Sequence, residues 1–186
     1  MLTPEHHFSE TELLAGLSQV SQSPADGGTV VLIVVRPDKE LRETPPSCTV
    51  TREAGIPGDR WARYCSRRLP DGALNPDTQL TLMNSRSLAL VAVNRERWAL
   101  AGDNLIVDLD LSEANLPTGR RLKIGEAILE ITEKPHTGCA KFSARFGADA
   151  FKFVNAPERK ALRLRGIHAQ VVQPGVITVG DRIEKL

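Results

Sequence analysis

The apolar positions of the chain fall first at helical spacing and then, for most of its length, at the spacing of short strands. Leu13, Leu14, Leu17 and Val20 recur every three or four residues, the period that gathers side chains on one face of a helix. Ser9-Glu10-Thr11-Glu12 stands before them in the order of a capping box, with Ser9 as N-cap and Glu12 reaching back. Together they predict an amphipathic helix of about three turns. Ser21 to Gly28, rich in Ser, Pro and Gly, reads as a linker. Residues 1–28 are therefore expected to be an N-terminal helix and linker packed on a main domain of residues 29–186. A partner-binding helix is the other reading.

From Thr29 onward the pattern changes. Val30 to Val35 is a continuous apolar run, too short to span a bilayer and of the right length for a buried strand ending at Arg36. Thr49 to Arg52 reads as a more exposed strand, followed by turn chemistry from Ala54 to Trp61 and again from Arg67 to Asp77. Leu80 to Met83 is a short strand, and Asn84-Ser85 caps a helix carrying Leu88 to Val93. Leu105 to Leu109 follows as a strand, and Arg121 to Ile124 pairs with Ala127 to Thr132 across Gly125-Glu126 as a hairpin. A helical insert from Ala148 to Val154 precedes a strand at Leu164 to Val172, after which Pro174-Gly175 turns, Val176 to Val179 pairs back on it, and Gly180-Asp181 turns again before Arg182 to Lys185. Many short strands between glycine turns predict a mainly β, α+β chain: a β-barrel with peripheral helices and an N-terminal helix.

Composition narrows the function classes. At 186 residues with a net charge of +1, nothing calls for nucleic acid or an anionic membrane, both of which recruit a basic excess. Aromatic content of 4% leaves little for base stacking. Cys48, Cys65 and Cys139 are odd in number and far apart, which argues against a zinc knuckle or a disulfide framework and for the reducing cytoplasm. The N-terminal segment with His6 and His7 lacks the layout of a signal peptide.

The chemistry concentrates in Lys134-Pro135-His136-Thr137-Gly138-Cys139-Ala140-Lys141-Phe142. A thiol acts as nucleophile or metal ligand in its thiolate form, which nearby cations and a helix N-terminus favour. Lys134, His136 and Lys141 are candidates for that charge, and a short helix through Arg145-Phe146 would start near the sulfur. Gly138 removes a side chain there and permits unusual backbone angles. The alternative for Cys139 is a small buried hydrophobe. His136-x-x-Cys139 has ligand spacing but no third ligand nearby, so His136 reads as a hydrogen-bonding or pKa-setting residue. His168 reads as satisfying a local hydrogen bond, Trp61, Tyr64 and Trp98 as packing residues, and Cys48 and Cys65 as structural, although Arg63, Arg67 and Arg68 lie near Cys65. Gly58-Asp59 and Gly180-Asp181 read as turns; Gly102-Asp103-Asn104 stays open between turn and site.

Six motifs recur in one order: Gly58-Asp59; Gly102-Asp103-Asn104; Leu122-x-Ile124-Gly125; Cys139-x-Lys141-Phe142; Arg165-Gly166-Ile167; and Gly175-x-Ile177-x-x-Gly180-Asp181. In that order around a single cysteine they resemble the MOSC domain, the C-terminal part of molybdenum-cofactor sulfurases, over about Val30 to Ile183. The resemblance is to its small standalone bacterial members. It implies a β-rich barrel in which Cys139 either coordinates molybdenum of the pterin cofactor or carries sulfur. With the pterin cofactor bound, Asp103, orienting a neighbouring cation or positioning a proton donor, and His136, in its hydrogen-bonding or pKa-setting role, are the candidate catalytic residues beside Cys139. Arg36, Lys134, Lys141, Arg145 and Arg165 are then candidate anion contacts, with Asn104 at a pterin edge or substrate. No pyridoxal phosphate site is expected in this chain, and no cysteine cluster could hold an iron–sulfur centre. A separate electron donor or sulfur donor protein is therefore expected.

Three functions follow as expectations. One is a molybdenum-cofactor enzyme that reduces N-hydroxylated small molecules with Cys139 on the metal. Another is a sulfur carrier with a persulfide on Cys139. The third is a noncatalytic barrel that binds an anion or a partner.

Overall fold

Alternation within the strands decides which of two layers each side chain enters. The computed structural model describes residues 7–65 and 68–186, so His6 and Arg67 lie outside the described residues. The strands are β1 (Thr29–Ile33), β2 (Ser47–Val50), β3 (Leu80–Asn84), β4 (Leu105–Asp108), β5 (Arg121–Ile124), β6 (Ala127–Pro135), β7 (Ile167–Gln173), β8 (Gly175–Thr178) and β9 (Ile183–Lys185). The helices are α1 (Glu10–Ala15), α2 (Leu17–Ser21), α3 (Trp61–Tyr64), α4 (Ser85–Val91), α5 (Ala140–Phe146) and α6 (Ala148–Asn155). Leu80 and Leu82 of β3, and Leu105 and Val107 of β4, point into a core shared with β1, β6 and β7. Met83 and Ile106 on the same two strands point the other way and join Leu88, Phe146 and Phe153 in a helical layer. A strand covered on both faces reads as an unbroken apolar run, which accounts for Leu105-Ile106-Val107 of β4.

Seven strands form one sheet in the order β1-β4-β3-β7-β6-β5-β9. All its pairs are antiparallel except β3 with β4. That pair is joined through α4, whose N-cap Asn84 accepts from the Arg86 and Ser87 amides. The sheet curls until its ends meet: Val30 N–H donates to Asp181 O at 3.0 Å and Ile183 N–H to Gly28 O at 2.7 Å. The result is a nearly closed barrel, an arrangement that leaves few unpaired edges. Among the described residues no helix is long and apolar enough to cross a membrane.

Two local expectations are corrected. The segment Val176 to Val179 does not pair back on the strand before it; β8 pairs with β2, in the register Cys48↔Ile177. The N-terminal helix breaks at Gly16, where a Cβ would lie 2.2 Å from Leu90 Cδ2. Leu13 is buried against α6 and the helical layer, while Leu14 is exposed.

Candidate functional site

Strand β6 ends at Pro135, and His136-Thr137-Gly138 leads to Cys139, the N-cap residue of α5. Gly138 supplies room and not an unusual angle, since its φ lies outside the left-handed region. Its N–H donates to Asn155 Oδ1 at 2.8 Å, and a Cβ would meet Asn155 Nδ2 at 2.9 Å and Val154 Cγ2 at 3.2 Å. The glycine thus lets the cysteine segment lie against α6. Of the three cysteines, Cys139 alone is exposed.

A cleft of about 370 Å³ opens beside Cys139. The cations Arg36, Arg42, Arg60, Lys141, Arg145 and Arg165 line it, together with Trp61, Tyr64, Cys65, His136 and His168. They come from the loop after β1, from α3 and its flanks, from the segment after β6, from α5 and from the start of β7, so the cleft exists only once the barrel has closed.

Beneath it lie two charge networks built on the buried carboxylates Asp103 and Asp59. Asp103, fully buried, accepts from His136 Nε2 on Oδ1 at 2.7 Å and from Arg165 Nη1 on Oδ2 at 2.5 Å. Burial alone would raise the Asp103 carboxyl, but the Arg165 guanidinium and the His136 N–H outweigh it and hold the group at about 2. Arg165 also donates Nη2 to Ala101 O at 3.1 Å and stacks 4.9 Å from the Phe142 ring centre, while its Nε is buried with no partner.

His136 shows what the network does to a neighbour. Burial, then repulsion by Arg165, push the imidazole down to about 4 against the pull of Asp103. The ring is therefore neutral near pH 7, and the expectation that His136 supplies positive charge to Cys139 is corrected. With Nε2–H committed to the ionised Asp103, the remaining ring nitrogen Nδ1 is an acceptor. His168 lies beside it, ring centres 4.6 Å apart, with Nδ1 at 3.0 Å from Lys134 O.

The second network holds Arg36. Asp59 takes Arg36 Nε at 2.9 Å and Nη2 at 2.8 Å, Gly102 O takes Nη1 at 2.9 Å, and Asn104 Oδ1 takes Nη2 at 3.1 Å. Arg36 draws the buried Asp59 carboxyl down despite its desolvation. One Nη1 hydrogen of Arg36 remains for a ligand.

The sequence-predicted residues thus divide. Arg36, His136, Cys139, Lys141, Arg145 and Arg165 line the cleft. Asp103 and Asn104 lie wholly buried under it. Asn104 is spent within the protein: Nδ2 donates to Val34 O and Asp59, and Oδ1 accepts from Thr81 and Arg36. Lys134 does not reach the cleft; it lines a neighbouring cavity of about 730 Å³ that shares Pro135, His136, Thr137 and Arg165 with it. The register of β6 on β7 shifts between Ile131 and Pro135, which defeats a simple alternation argument there.

Sequence reasoning missed Asp59, Arg42, Arg60, Cys65, Trp61 and Tyr64. Asp59 read as a turn residue, and it does accept from Trp61 N–H at 2.9 Å, but the same carboxylate clamps Arg36. The arginines near Cys65 were the one signal that this cysteine also faces the cleft. Cys48 packs on the barrel core, and burial pushes its thiol up to about 11.

A family model described as the MOSC domain matches residues 70–184, more than half of the chain. Among solved structures, the YuaD protein from Bacillus subtilis is similar at TM-score 0.63 and 21% identity, over 85% of this chain and 94% of that one. YiiM from Escherichia coli is similar at TM-score 0.52 and 20% identity, over 85% and 69% of the two chains. YiiM from Geobacillus stearothermophilus is similar at TM-score 0.53 and 17% identity, over 86% and 75%. At these identities the likenesses establish the fold. No curated protein matches the chain.

Proposed function

The chain belongs to the MOSC domain family, and we propose that its cleft holds a molybdenum–pterin cofactor with Cys139 as the protein's thiolate ligand. The activity we assign is reduction of N-hydroxylated small molecules. One observation carries the reading: the single exposed cysteine stands in a cleft whose cations exceed the carboxylates paired with them. Arg42 makes the excess visible. Burial and the repulsion of Arg145 and Arg36 push its guanidinium down, and its Nε is buried with no partner. A cofactor that joins a phosphate to a soft metal needs this donor set of cations and one thiolate.

When bound, the cofactor supplies the redox centre. The chain's own residues do the rest. Arg42, Lys141 and Arg145 take the anionic part, and Cys139 presents its sulfur from the start of α5. Neutral His136, locked on Asp103, offers Nδ1 as an acceptor for a ligand N–H or O–H. Electrons come from a separate donor protein, and the cytoplasm is the compartment that keeps Cys139 reduced.

Exposure of Cys139 also suits a second reading, sulfur transfer through a Cys139 persulfide loaded by a donor protein. Metal and pterin content separate the two, measured on protein purified from a host that makes the cofactor. Near-stoichiometric molybdenum in the wild type, lost in Cys139→Ala, is the expected result. A wild type without molybdenum or pterin overturns the enzyme reading, and persulfide labelling of Cys139 then tests the sulfur carrier.

A further inference from the structure

We propose that Arg42, Lys141 and Arg145 form a seat for a phosphate or phosphoryl group, and that the Glu40 side chain occupies this seat until such an anion displaces it. The inference rests on the proposed reading only for the anionic class of ligand that enters the cleft.

Glu40 lies in the loop between β1 and β2. Its Oε1 accepts from Lys141 Nζ at 3.1 Å, and its Oε2 pairs with Arg145 Nη2. Lys141 and Arg145 stand one turn apart on α5, the helix that Cys139 begins, and both line the cleft. One carboxylate thus spreads its two oxygens over two cations, as a phosphate would. The backbone is bent to bring it there: Glu40 has φ 63°, in the left-handed region that a residue with a Cβ seldom adopts.

Arg145 anchors the seat and the occupant is free. Arg145 is only 17% exposed, and its Nη1 donates to Leu100 O at 2.7 Å, so its position does not depend on Glu40. Arg42 lies across the same mouth. Its Nη2 is 3.6 Å from where a Cβ on Gly102 would be, its Nη1 donates to Leu41 O at 2.5 Å, and its Nε has no partner. Glu40, by contrast, is 55% exposed. Its carboxylate can turn into water and lose only exposed ion pairs, which are individually weak. Removing the seat's own carboxylate leaves three cations facing one another, an arrangement that an incoming anion relieves.

The test uses the full chain from a host that makes no molybdenum cofactor, freed of phosphate, with inorganic phosphate as the titrant in calorimetry. Glu40→Gln is expected to tighten phosphate binding by about three- to tenfold, the loss of a competing exposed ion-pair partner. Lys141→Met in that background is expected to lower the affinity by about threefold or more. Asp38→Asn removes an equal charge from the same loop without touching Lys141 or Arg145, and is expected to change affinity by less than about twofold. Unchanged affinity in Glu40→Gln, an equal gain in Asp38→Asn, or no phosphate binding by either the wild type or Glu40→Gln overturns the proposal. Its fate is separable from that of the cofactor reading. A protein that loads molybdenum on Cys139 while Glu40→Gln binds phosphate unchanged loses only the seat. A protein that never loads molybdenum while Glu40→Gln gains phosphate affinity keeps it.

Discussion

The floor and the mouth of the cleft use the same kinds of side chain for opposite purposes. On the floor, the buried Asp103 and Asp59 hold buried Arg165 and part-buried His136 and Arg36, whose guanidinium groups are also tied to backbone carbonyls. At the mouth, Glu40 holds Lys141 and Arg145 from solvent, and Arg42 keeps an unpaired nitrogen. Burial of the carboxylates makes the difference, since Asp103 and Asp59 are buried and Glu40 is exposed. A buried ion whose partner is removed has no water to turn to, so the floor acts as a frame. An exposed carboxylate exchanges its partner for water or a ligand at little cost, the property on which the proposed seat at the mouth relies. Neither identity nor exposure alone marks an arginine as scaffold or ligand contact, since Arg36 and Arg145 are exposed alike; the burial of the carboxylate partner does.

The largest test of this contrast is Asp103→Ala. Leaving Arg165 buried and unpaired is expected to destabilise the fold by about 3–5 kcal/mol in urea unfolding. A loss below about 1 kcal/mol would mean that the floor is no frame.

Next in size is a pH effect with a defined sign. In the unfolded chain His136 binds a proton below about 6.5, but in the folded protein only below about 4. Through that window the unfolded state holds the extra proton, so stability falls as pH falls. The loss is expected to reach about 3 kcal/mol at most by pH 4. Below it Asp103, whose folded value of about 2 lies under the ordinary 3.8, adds a further loss as it protonates. Urea unfolding of His136→Gln from pH 7 to pH 4 should show a flatter slope than the wild type; an identical slope removes His136 as its source.

Cys139→Ala sharpens the contrast from the binding side. The residue is exposed, so its stability change is expected to stay within about 0.5 kcal/mol even where molybdenum retention is lost. At the small end, Glu40→Gln should leave the thermal midpoint unmoved in a calorimetric scan. A clear drop would place Glu40 with the structural pairs of the floor.

How far the chain could be read without coordinates follows the same division. The hairpin of β5 on β6, the Asn84 cap and the short helix after Cys139 were all legible, because turn residues, caps and alternation act within a few positions. The pairing of β8 with β2 was not, since nothing local distinguishes one neighbouring strand from another. Lys134 looked like a neighbour of Cys139 by sequence distance and lies in a different cavity, past an irregular register. Asp59 looked like a turn residue because that half of its role is local; its grip on Arg36 spans 23 positions.

The sequence by itself determined the barrel's strands, their turns, the order of the motifs and the cysteine at their centre, since each rests on the conformational preferences of a few adjacent residues. Only the tertiary structure decided which charges are buried and which partners they meet. Asp103 finds His136 and Arg165 across 33 and 62 positions, and Glu40 finds Lys141 and Arg145 across 101 and 105. Electrostatic strength depends on separation and on exclusion of water, and both are set when the closing barrel brings distant segments to one end.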